Sequence, residues 1–306
     1  MERAYDVLGL GLVAVDDILF VERYPAPDSK VRLLAEERQC GGLTGTALVA
    51  ASRLGARCAY AGTLGTDELS SFVARRLEEE GVSLEHVSRR EGAAPVHSTI
   101  IVDLSAKTRT ILFSVSGIVG APPDAPPESA IRSAGVLFVD QGGVEGMVRA
   151  ARIAKDAKIP VVADLERDEH PRFGELLSLV DHLIVSRDFA CRLTGEPNPM
   201  KAALALFGEG RDTVVVTAGE TGAFWVTASH PRRVHRQPSF PVEVVDTTGC
   251  GDVFHGAYAA ALARGADPDE RVEFAAAAAA LKARAPGGQR GIPHREVVEA
   301  YLRSQG

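Results

Sequence analysis

Apolar runs and helix-length segments alternate along the middle and C-terminal parts of the chain. This spacing is typical of βαβ units, which build a mostly parallel sheet with helices packed on it. The sequence therefore predicts an α/β fold. The predicted strands are 135–140, 159–164, 182–186 and 213–217, and the predicted helices between them are 144–157, 172–180 and 187–194.

The N-terminal part reads differently. Residues 5–15 are almost wholly apolar and predict a buried strand with Asp16 at its carboxyl end, which is where ligands bind in open α/β sheets. Alternation within 18–39, interrupted by prolines, predicts two short strands, and residues 96–103 and 109–115 predict a hairpin turning through 105–107. These segments predict a small β-sheet that interrupts the α/β alternation.

The chain thus divides into a core and a lid. We predict a lid built from residues 16–40 and 96–117. The predicted core, which would bind both nucleotide and sugar, consists of residues 1–15, 41–95 and 118–306.

Composition narrows the classes of partner. A chain of 306 residues with 45% hydrophobic residues can form one large α/β domain with an appendage. A net charge of −7 without a basic block makes nucleic acid and membranes unexpected partners. The 4 cysteines lack C-x-x-C spacing, which indicates a reducing compartment, and we expect the cytoplasm. No stretch has the length or flanks of a membrane span or signal peptide.

The chemistry is concentrated in residues 246–257, D-T-T-G-C-G-D-V-F-H-G-A. Apolar residues 242–245 precede this stretch and predict an extended segment that turns sharply into a helix. Backbone N–H groups at a helix N-terminus favour an anion, and glycines let the main chain approach it closely. The predicted donors of this anion hole are Gly249, Cys250 and Gly251.

Asp252 follows the anion hole directly. A carboxylate in this position can take the proton of an attacking hydroxyl. An anion hole beside a base predicts a phosphotransferase.

The stretch D-T-T-G-C-G-D resembles the second signature of the ribokinase-like (PfkB) carbohydrate kinases, D-T-x-G-x-G-D. Similarity to the family extends in order from Asp16 to Pro293. It implies a three-layer fold with a mostly parallel central sheet and a β lid. It also implies an ATP-dependent kinase, with Mg²⁺, that transfers the γ-phosphoryl group to a primary hydroxyl of a sugar or sugar derivative.

The residues Gly41 and Gly42 resemble the family's first signature, which implies that their backbone holds the sugar together with Asp16. Thr46 stands where many relatives have Asn, so one expected sugar contact is altered. Lys30 is predicted to lie on a lid strand, and a face turned to the sugar would imply an acidic substrate group. The C-terminal half is similar to bacterial sulfofructose kinases, which adds ketoses, sugar acids and sulfosugars to the expected substrates.

The nucleotide side is also implied by resemblance. Ser186 and Phe189 stand where many relatives have Asn and Glu associated with magnesium and phosphate. Either water with Asp164 or Glu166 supports the metal, or Ser186 alone is kept for the nucleotide. The implied nucleotide-binding residues are Ser186, Thr217, Gly219, Gly222 and Gly288.

The resemblance further implies a monovalent cation, K⁺, near the main chain of Asp246, Thr248 and Gly291. Exposed lid edges predict a homodimer, because an open sheet edge can pair with a partner. Two other functions stay open: a nucleoside kinase on the same fold, and a sensor that binds sugar or nucleotide without catalysis.

Overall fold

The structure is a computed structural model that describes residues 3–106, 108–208 and 210–305. The strands are β1 Tyr5–Leu10, β2 Ala14–Val21, β3 Ala35–Gly41, β4 Cys58–Tyr60, β5 Thr63–Leu64, β6 Ser88–Arg89, β7 Val96–Asp103, β8 Thr108–Ser114, β9 Ala134–Val139, β10 Val161–Asp164, β11 His182–Ser186, β12 Thr213–Thr217, β13 Ala223–Thr227 and β14 His235–Gln237. The helices are α1 Leu43–Arg53, α2 Glu68–Glu79, α3 Glu128–Arg132, α4 Val144–Asp156, α5 Phe173–Leu179, α6 Arg187–Thr194, α7 Pro199–Leu206, α8 Cys250–Ala263, α9 Pro268–Lys282 and α10 Arg295–Gln305.

A large central sheet has the strand order β14-β13-β12-β11-β10-β9-β1-β4. Its strands pair in parallel from β4 to β12, and the last two strands pair antiparallel. The carboxyl ends of the parallel strands therefore meet at one edge of the sheet, where open α/β sheets bind their ligands. This confirms the predicted α/β fold with a mostly parallel sheet.

Helices cover both faces of this sheet. Along β1, Val7 packs among residues of α1, α2, α8, α9 and α10, whereas the next residue, Leu8, packs among residues of α3 to α7. Successive residues of a strand point to opposite faces, so strands that are buried on both sides are apolar throughout. The result is the predicted three-layer arrangement.

Helices α1 and α8 approach each other very closely. A Cβ atom on Gly256 would lie 2.1 Å from the carbonyl oxygen of Ala47. Only glycine fits there, because any side chain would force the two helices apart. This contact joins the helix that follows Gly42 to the helix that carries Asp252.

A second sheet, in the order β3-β2-β7-β8, forms the lid. Strand β2 pairs antiparallel with β3 and in parallel with β7, which pairs antiparallel with β8. Its strands lie mostly within the two predicted insertions, although β2 begins at Ala14. Of the predicted hairpin turn 105–107, Lys107 lies outside the described residues.

Three local predictions were wrong. The predicted strand 5–15 is two strands, because the chain breaks at Gly11, so Asp16 lies within a lid strand and not at the end of the core strand. Residues 22–34 form an irregular loop, and the second lid strand begins only at Ala35. The predicted extended segment 242–245 is irregular and does not pair with a sheet, and it exposes Val244 and Val245.

Within the described ranges, no helix is long and apolar enough to cross a membrane. The pattern had not predicted α7, α10 or the antiparallel pair β13 and β14. Strand β13, which pairs with β12, is buried throughout. Its residues therefore lack the alternation of apolar and polar positions that marks a strand with one solvated face.

Candidate active site

Polar side chains collect at the carboxyl edge of the central sheet. Asp140 follows β9, Asp164 ends β10, Ser186 ends β11 and Thr217 ends β12. Because neighbouring parallel strands deliver these residues to one edge, side chains that are far apart in sequence become neighbours. Helix α8 places its N-terminus against the same edge, where His255 contacts Asp164 and Ile184.

The N-terminus of α8 begins in a glycine turn. Gly249 is the N-cap and has a φ of 74°, a conformation that favours glycine. A Cβ atom on Gly249 would lie 2.7 Å from the carbonyl oxygen of Gly288, so the turn also needs glycine for its packing. Gly288 is thereby placed beside the anion hole, although it lies on the loop that follows α9.

The structure corrects one part of the predicted anion hole. The N–H of Cys250 donates to the carbonyl oxygen of Thr247 at 3.2 Å, which is the bond of a tight turn. In this conformation the predicted hole therefore loses one of its three donors. The backbone of Gly249 and Gly251 stays at the helix N-terminus, where the helix dipole favours negative charge.

Asp252 lies in the first turn of α8 and forms an acidic group with Asp164, Glu166 and Asp140. Burial, followed by the Asp164 carboxylate, raises the pKa of Asp252 well above its usual value, while His255 acts in the opposite direction. Burial, Glu166 and Asp140 raise the pKa of Asp164 as well. A carboxylate with a raised pKa is a stronger base than an ordinary aspartate, which suits proton abstraction from a hydroxyl.

His255 bridges this group to the sheet. Its Nδ1 lies 2.7 Å from the carbonyl oxygen of Gly251, and its Nε2 lies 2.9 Å from the carbonyl oxygen of Ile184. Carbonyl oxygens only accept hydrogen bonds, so each of these bonds uses an N–H of the ring. Nδ1 also lies 3.3 Å from Oδ2 of Asp164, and both side chains are almost fully buried. His255 thus contacts Asp164 and is close enough to Asp252 to lower its pKa.

Asp140 fixes the backbone around the turn that follows β1. Its carboxylate accepts from the N–H of Leu12 at 2.7 Å, the hydroxyl of Thr44 at 2.8 Å and the N–H of Gly142 at 2.6 Å. Burial raises the pKa of Asp140 to about 6. These bonds tie the turn after β1 and the start of α1 to the end of β9.

Asp16 and Gly41 are neighbours in the structure. A Cβ atom on Gly41 would lie 2.4 Å from Oδ2 of Asp16, so the absence of a side chain leaves room for the carboxylate. Burial raises the pKa of Asp16, and a hydrogen bond with Ser98 partly offsets this effect. Gly42 begins α1 as its N-cap with a φ of 89°. The structure thus brings together Asp16, Gly41 and Gly42.

Two other residues predicted to bind the substrate are placed elsewhere. Thr46 is 1% exposed, and its hydroxyl accepts from Nε2 of Gln289, so it lies beneath the surface that a sugar could reach. Lys30 lies in the irregular loop between β2 and β3 and is exposed. The prediction that Lys30 sits on a lid strand was wrong because the proline-rich segment does not pair with the sheet.

The predicted nucleotide residues lie at the neighbouring strands. Ser186 and Thr217 are directly paired across β11 and β12. Ser186 is also the N-cap of α6, where its oxygen accepts from the N–H of Phe189. Gly219 and Gly222 follow in a tight turn, and a Cβ atom on Gly222 would lie 2.0 Å from the carbonyl oxygen of Gln237. Ser186, Thr217, Gly219 and Gly222 thus present only hydroxyl and backbone groups at this edge, and none of these four residues has a charged side chain.

Several contacts hold the lid against the core, and two of them involve β8. Arg109 of β8 donates to Oδ1 of Asp246 at 3.2 Å, beside the anion hole. The guanidinium of Arg167, from the loop after β10, lies 5.6 Å from the ring centre of Phe113 on β8. Phe113 pairs with Ser98, which is next to Asp16 across the sheet, so the face of the lid that carries Asp16 turns toward the acidic group.

The candidate magnesium donors, Asp164 and Glu166, do not form a side-chain metal cage with the other described residues. Among residues 3–106, 108–208 and 210–305, no group of three or more His, Cys, Asp or Glu side chains is arranged to hold a metal ion. Glu166 is exposed and close enough to influence the pKa of Asp252, and Asp164 lies deeper. Such a set fits Mg²⁺ bound mainly by nucleotide phosphates and water. When bound, the ion neutralises phosphate charge.

The predicted monovalent cation fits less well. The backbone carbonyl of Asp246, one of its expected ligands, accepts a hydrogen bond from Nζ of Lys282 at 3.1 Å. The side chain of Asp246 is occupied too. Burial opposes its ionisation, but bonds from Thr248 and Gly287 lower the pKa of Asp246 below its usual value. These residues do not fit a bound K⁺ ion.

Sequence reasoning missed three residues of this region. Asp140 ends a predicted strand, and that position alone could have marked it as a candidate. His255 gave no such signal, because spacing along α8 says nothing about a contact with Ile184. Lys282 ends an alanine-rich helix, and a lysine directly after small buried residues is the signal that could have singled it out.

Comparison with known proteins agrees with this geometry. The profile of the pfkB family carbohydrate kinases matches residues 6–295. A ribokinase of Haemophilus influenzae is 28% identical over 300 residues, which cover 96% of this chain and 97% of that protein. A ketohexokinase of Mus musculus is 26% identical over 286 residues, which cover 90% and 95%.

A solved structure of a ribokinase has the same fold as this chain. The structure of Arabidopsis thaliana ribokinase complexed with ribose and ATP superimposes with a TM-score of 0.87 at 24% identity, covering 99% of each chain. Family and fold therefore agree over nearly the whole length. The chain belongs to the pfkB family of carbohydrate kinases and is a phosphotransferase with an alcohol group as acceptor.

Proposed function

We propose that the protein transfers the γ-phosphoryl group of ATP to a primary hydroxyl of a sugar or sugar derivative. The observation that carries this proposal is the position of Asp252, which joins a glycine turn at a helix N-terminus to an acidic group that raises its pKa. The turn can hold a phosphate and the carboxylate can take the proton of a hydroxyl.

The proposed roles follow from the arrangement. Asp16 and the backbone of Gly41 and Gly42 bind the hydroxyls of the sugar, and the lid covers it. Asp252 removes the proton of the attacking hydroxyl, and the Gly249 and Gly251 backbone stabilises charge on the phosphoryl group during transfer. The nucleotide lies along the edge formed by Ser186, Thr217, Gly219 and Gly222, with Gly288 at the anion hole.

The acceptor is tested by ADP release with ATP and Mg²⁺ across a panel of aldoses, ketoses, sugar acids, sulfosugars and nucleosides. Turnover that depends on a sugar supports the proposal and identifies the class, including the sulfofructose-like branch. Turnover with nucleosides alone would establish a nucleoside kinase. Tight ATP binding without turnover on the whole panel would favour the sensor.

Asp16→Asn is expected to raise the KM for the sugar by about tenfold to a hundredfold, because a charged acceptor is lost from a partly buried hydrogen bond. The matched control is Asp17→Asn. Asp17 is the next residue of β2 on the opposite face, where it pairs with Arg38 and His97. Steady-state kinetics that show equal KM changes in the two variants would contradict the sugar-binding role of Asp16.

We also propose that the lid forms a homodimer contact. Strand β8 is the edge of the lid sheet and exposes Ile111, Leu112 and Phe113, each by about half of its surface. An open apolar edge strand is a favourable pairing surface. Light scattering is expected to give twice the chain mass, and Leu112→Lys is expected to return the monomer, whereas Leu204→Lys on α7 leaves the dimer intact. A monomer mass for the unmodified protein would refute this contact.

A further inference from the structure

Lys282 is the last residue of α9, and its side chain is fully buried. A buried ammonium group is costly unless polar groups receive its donors, so it is rare without a specific partner. Here Nζ donates to the backbone carbonyl of Asp246 at 3.1 Å. The ammonium is thus placed directly under the turn that leads into the anion hole.

The other polar atoms of Asp246 are already engaged. Its Oδ1 accepts from the N–H and the hydroxyl of Thr248, and Oδ2 accepts from the N–H of Gly287. The N–H of Asp246 donates to the carbonyl of Ala283, the residue after Lys282. The backbone carbonyl is therefore the group of Asp246 that Lys282 satisfies, and the bond fastens the turn to the end of α9.

Lys282 also meets the last predicted cation ligand. A Cβ atom on Gly291 would lie 2.8 Å from the carbonyl oxygen of Lys282, so the loop returns onto this residue. Of the three positions expected to surround K⁺, Asp246 contacts the Lys282 ammonium, and Gly291 packs against the Lys282 backbone. A potassium ion at the Asp246 carbonyl would share its ligand with an ammonium and be repelled by it.

We propose that the Lys282 ammonium is a built-in monovalent cation, which replaces K⁺ at the turn of Asp246 to Gly249 and makes the protein independent of K⁺ and Na⁺. A tethered cation holds the turn in place at every salt composition. It also puts a fixed positive charge near the phosphate-binding end of α8. Lys282 acts as a positioning residue, because its contact is with the backbone that shapes the anion hole.

The first test uses the unmodified protein and compares K⁺ with tetramethylammonium at equal ionic strength. We expect the melting temperature, the Kd for ATP and the rate of ADP release to be the same in both ions. A selective rise in the melting temperature or in ATP affinity with K⁺ would overturn the proposal. The melting temperature and the Kd for ATP do not require phosphoryl transfer. Only the rate of ADP release rests on the proposed kinase activity, so the other two quantities test the proposal even if that activity is absent.

The second test uses Lys282→Met, which keeps an unbranched side chain of similar length and removes the positive charge. We expect ATP to bind about tenfold more weakly, and K⁺, but not tetramethylammonium, to restore part of that loss and to raise the melting temperature. The control is Lys201→Met, an exposed lysine on α7, which should change neither quantity. Failure of Lys282→Met to fold leaves the first test in force, and a folded variant with unchanged ATP affinity in both ions would refute the role of Lys282.

Discussion

Asp252→Asn is expected to lower kcat for sugar phosphorylation by about 10² to 10⁴, the usual contribution of a positioned general base. The amide has nearly the same shape as the carboxylate but cannot accept the proton of the hydroxyl. Binding of ATP should change little or improve, because a negative charge beside the phosphate-binding turn is removed. Steady-state ADP release and ATP titration by calorimetry measure the two quantities separately.

The control for Asp252→Asn is Asp269→Asn. Asp269 also lies in the first turn of a helix, α9, but its side chain is exposed. The Asp269→Asn variant therefore reports the effect of losing a carboxylate near a helix N-terminus, which changes the free energy of unfolding by less than about 1 kcal/mol. Near-normal kcat in Asp252→Asn would show that another group takes the proton and would remove the main support for the proposed mechanism.

The pH dependence of kcat gives a second view of the same carboxylate. Burial and Asp164 raise the pKa of Asp252, and a base acts only in its deprotonated form. In the unmodified protein, kcat should therefore fall as the pH is lowered through this raised pKa. The fall should begin at a higher pH than an ordinary aspartate would give.

His255→Gln is expected to lower the free energy of unfolding by about 3 kcal/mol, because it breaks a buried charged contact and leaves a carbonyl unpaired. The lost partners are the carbonyl oxygens of Gly251 and Ile184 and the carboxylate of Asp164. Chemical denaturation measures this change. His86→Gln serves as the control, since His86 is only partly buried and lies far from these partners in sequence.

The same variant carries a kinetic signature. His255 lowers the pKa of Asp252, so removing its charge should raise that pKa and move the acid limb of the kcat profile to higher pH. If His255 only fills space, its replacement would lower the free energy of unfolding without moving the acid limb of the kcat profile. An unchanged profile in a destabilised His255→Gln protein would thus restrict His255 to a structural role.

The main features of the fold were predictable because they depend on local patterns. Apolar runs at βαβ spacing predicted the parallel strands β9 to β12, because strands that are buried on both faces are apolar almost throughout. The lid was harder to predict. A single apolar run across Gly11 hides a change of sheet, since both β1 and the start of β2 are buried and their residues look alike.

The candidate site divides in the same way. The glycine turn and the proposed base could be located from residues 246–252 alone, because the predicted anion hole and Asp252 are adjacent in the chain. The backbone donors of that hole were only partly right. The N–H of Cys250 turns back to Thr247, a detail of turn geometry that residue types do not encode.

The class of fold and the phosphotransferase chemistry could be inferred from the residues alone, and so could the position of the proposed base, Asp252. The surroundings of these residues depend on how the sheet and the helices pack. His255 reaches Ile184 across 71 positions, Lys282 reaches Asp246 across 36, and Asp140 reaches Leu12 across 128. Such pairs leave no periodic signal, because each side chain is selected by the polar group that it must satisfy in a buried place, and that group becomes a neighbour only when the sheet and helices have packed.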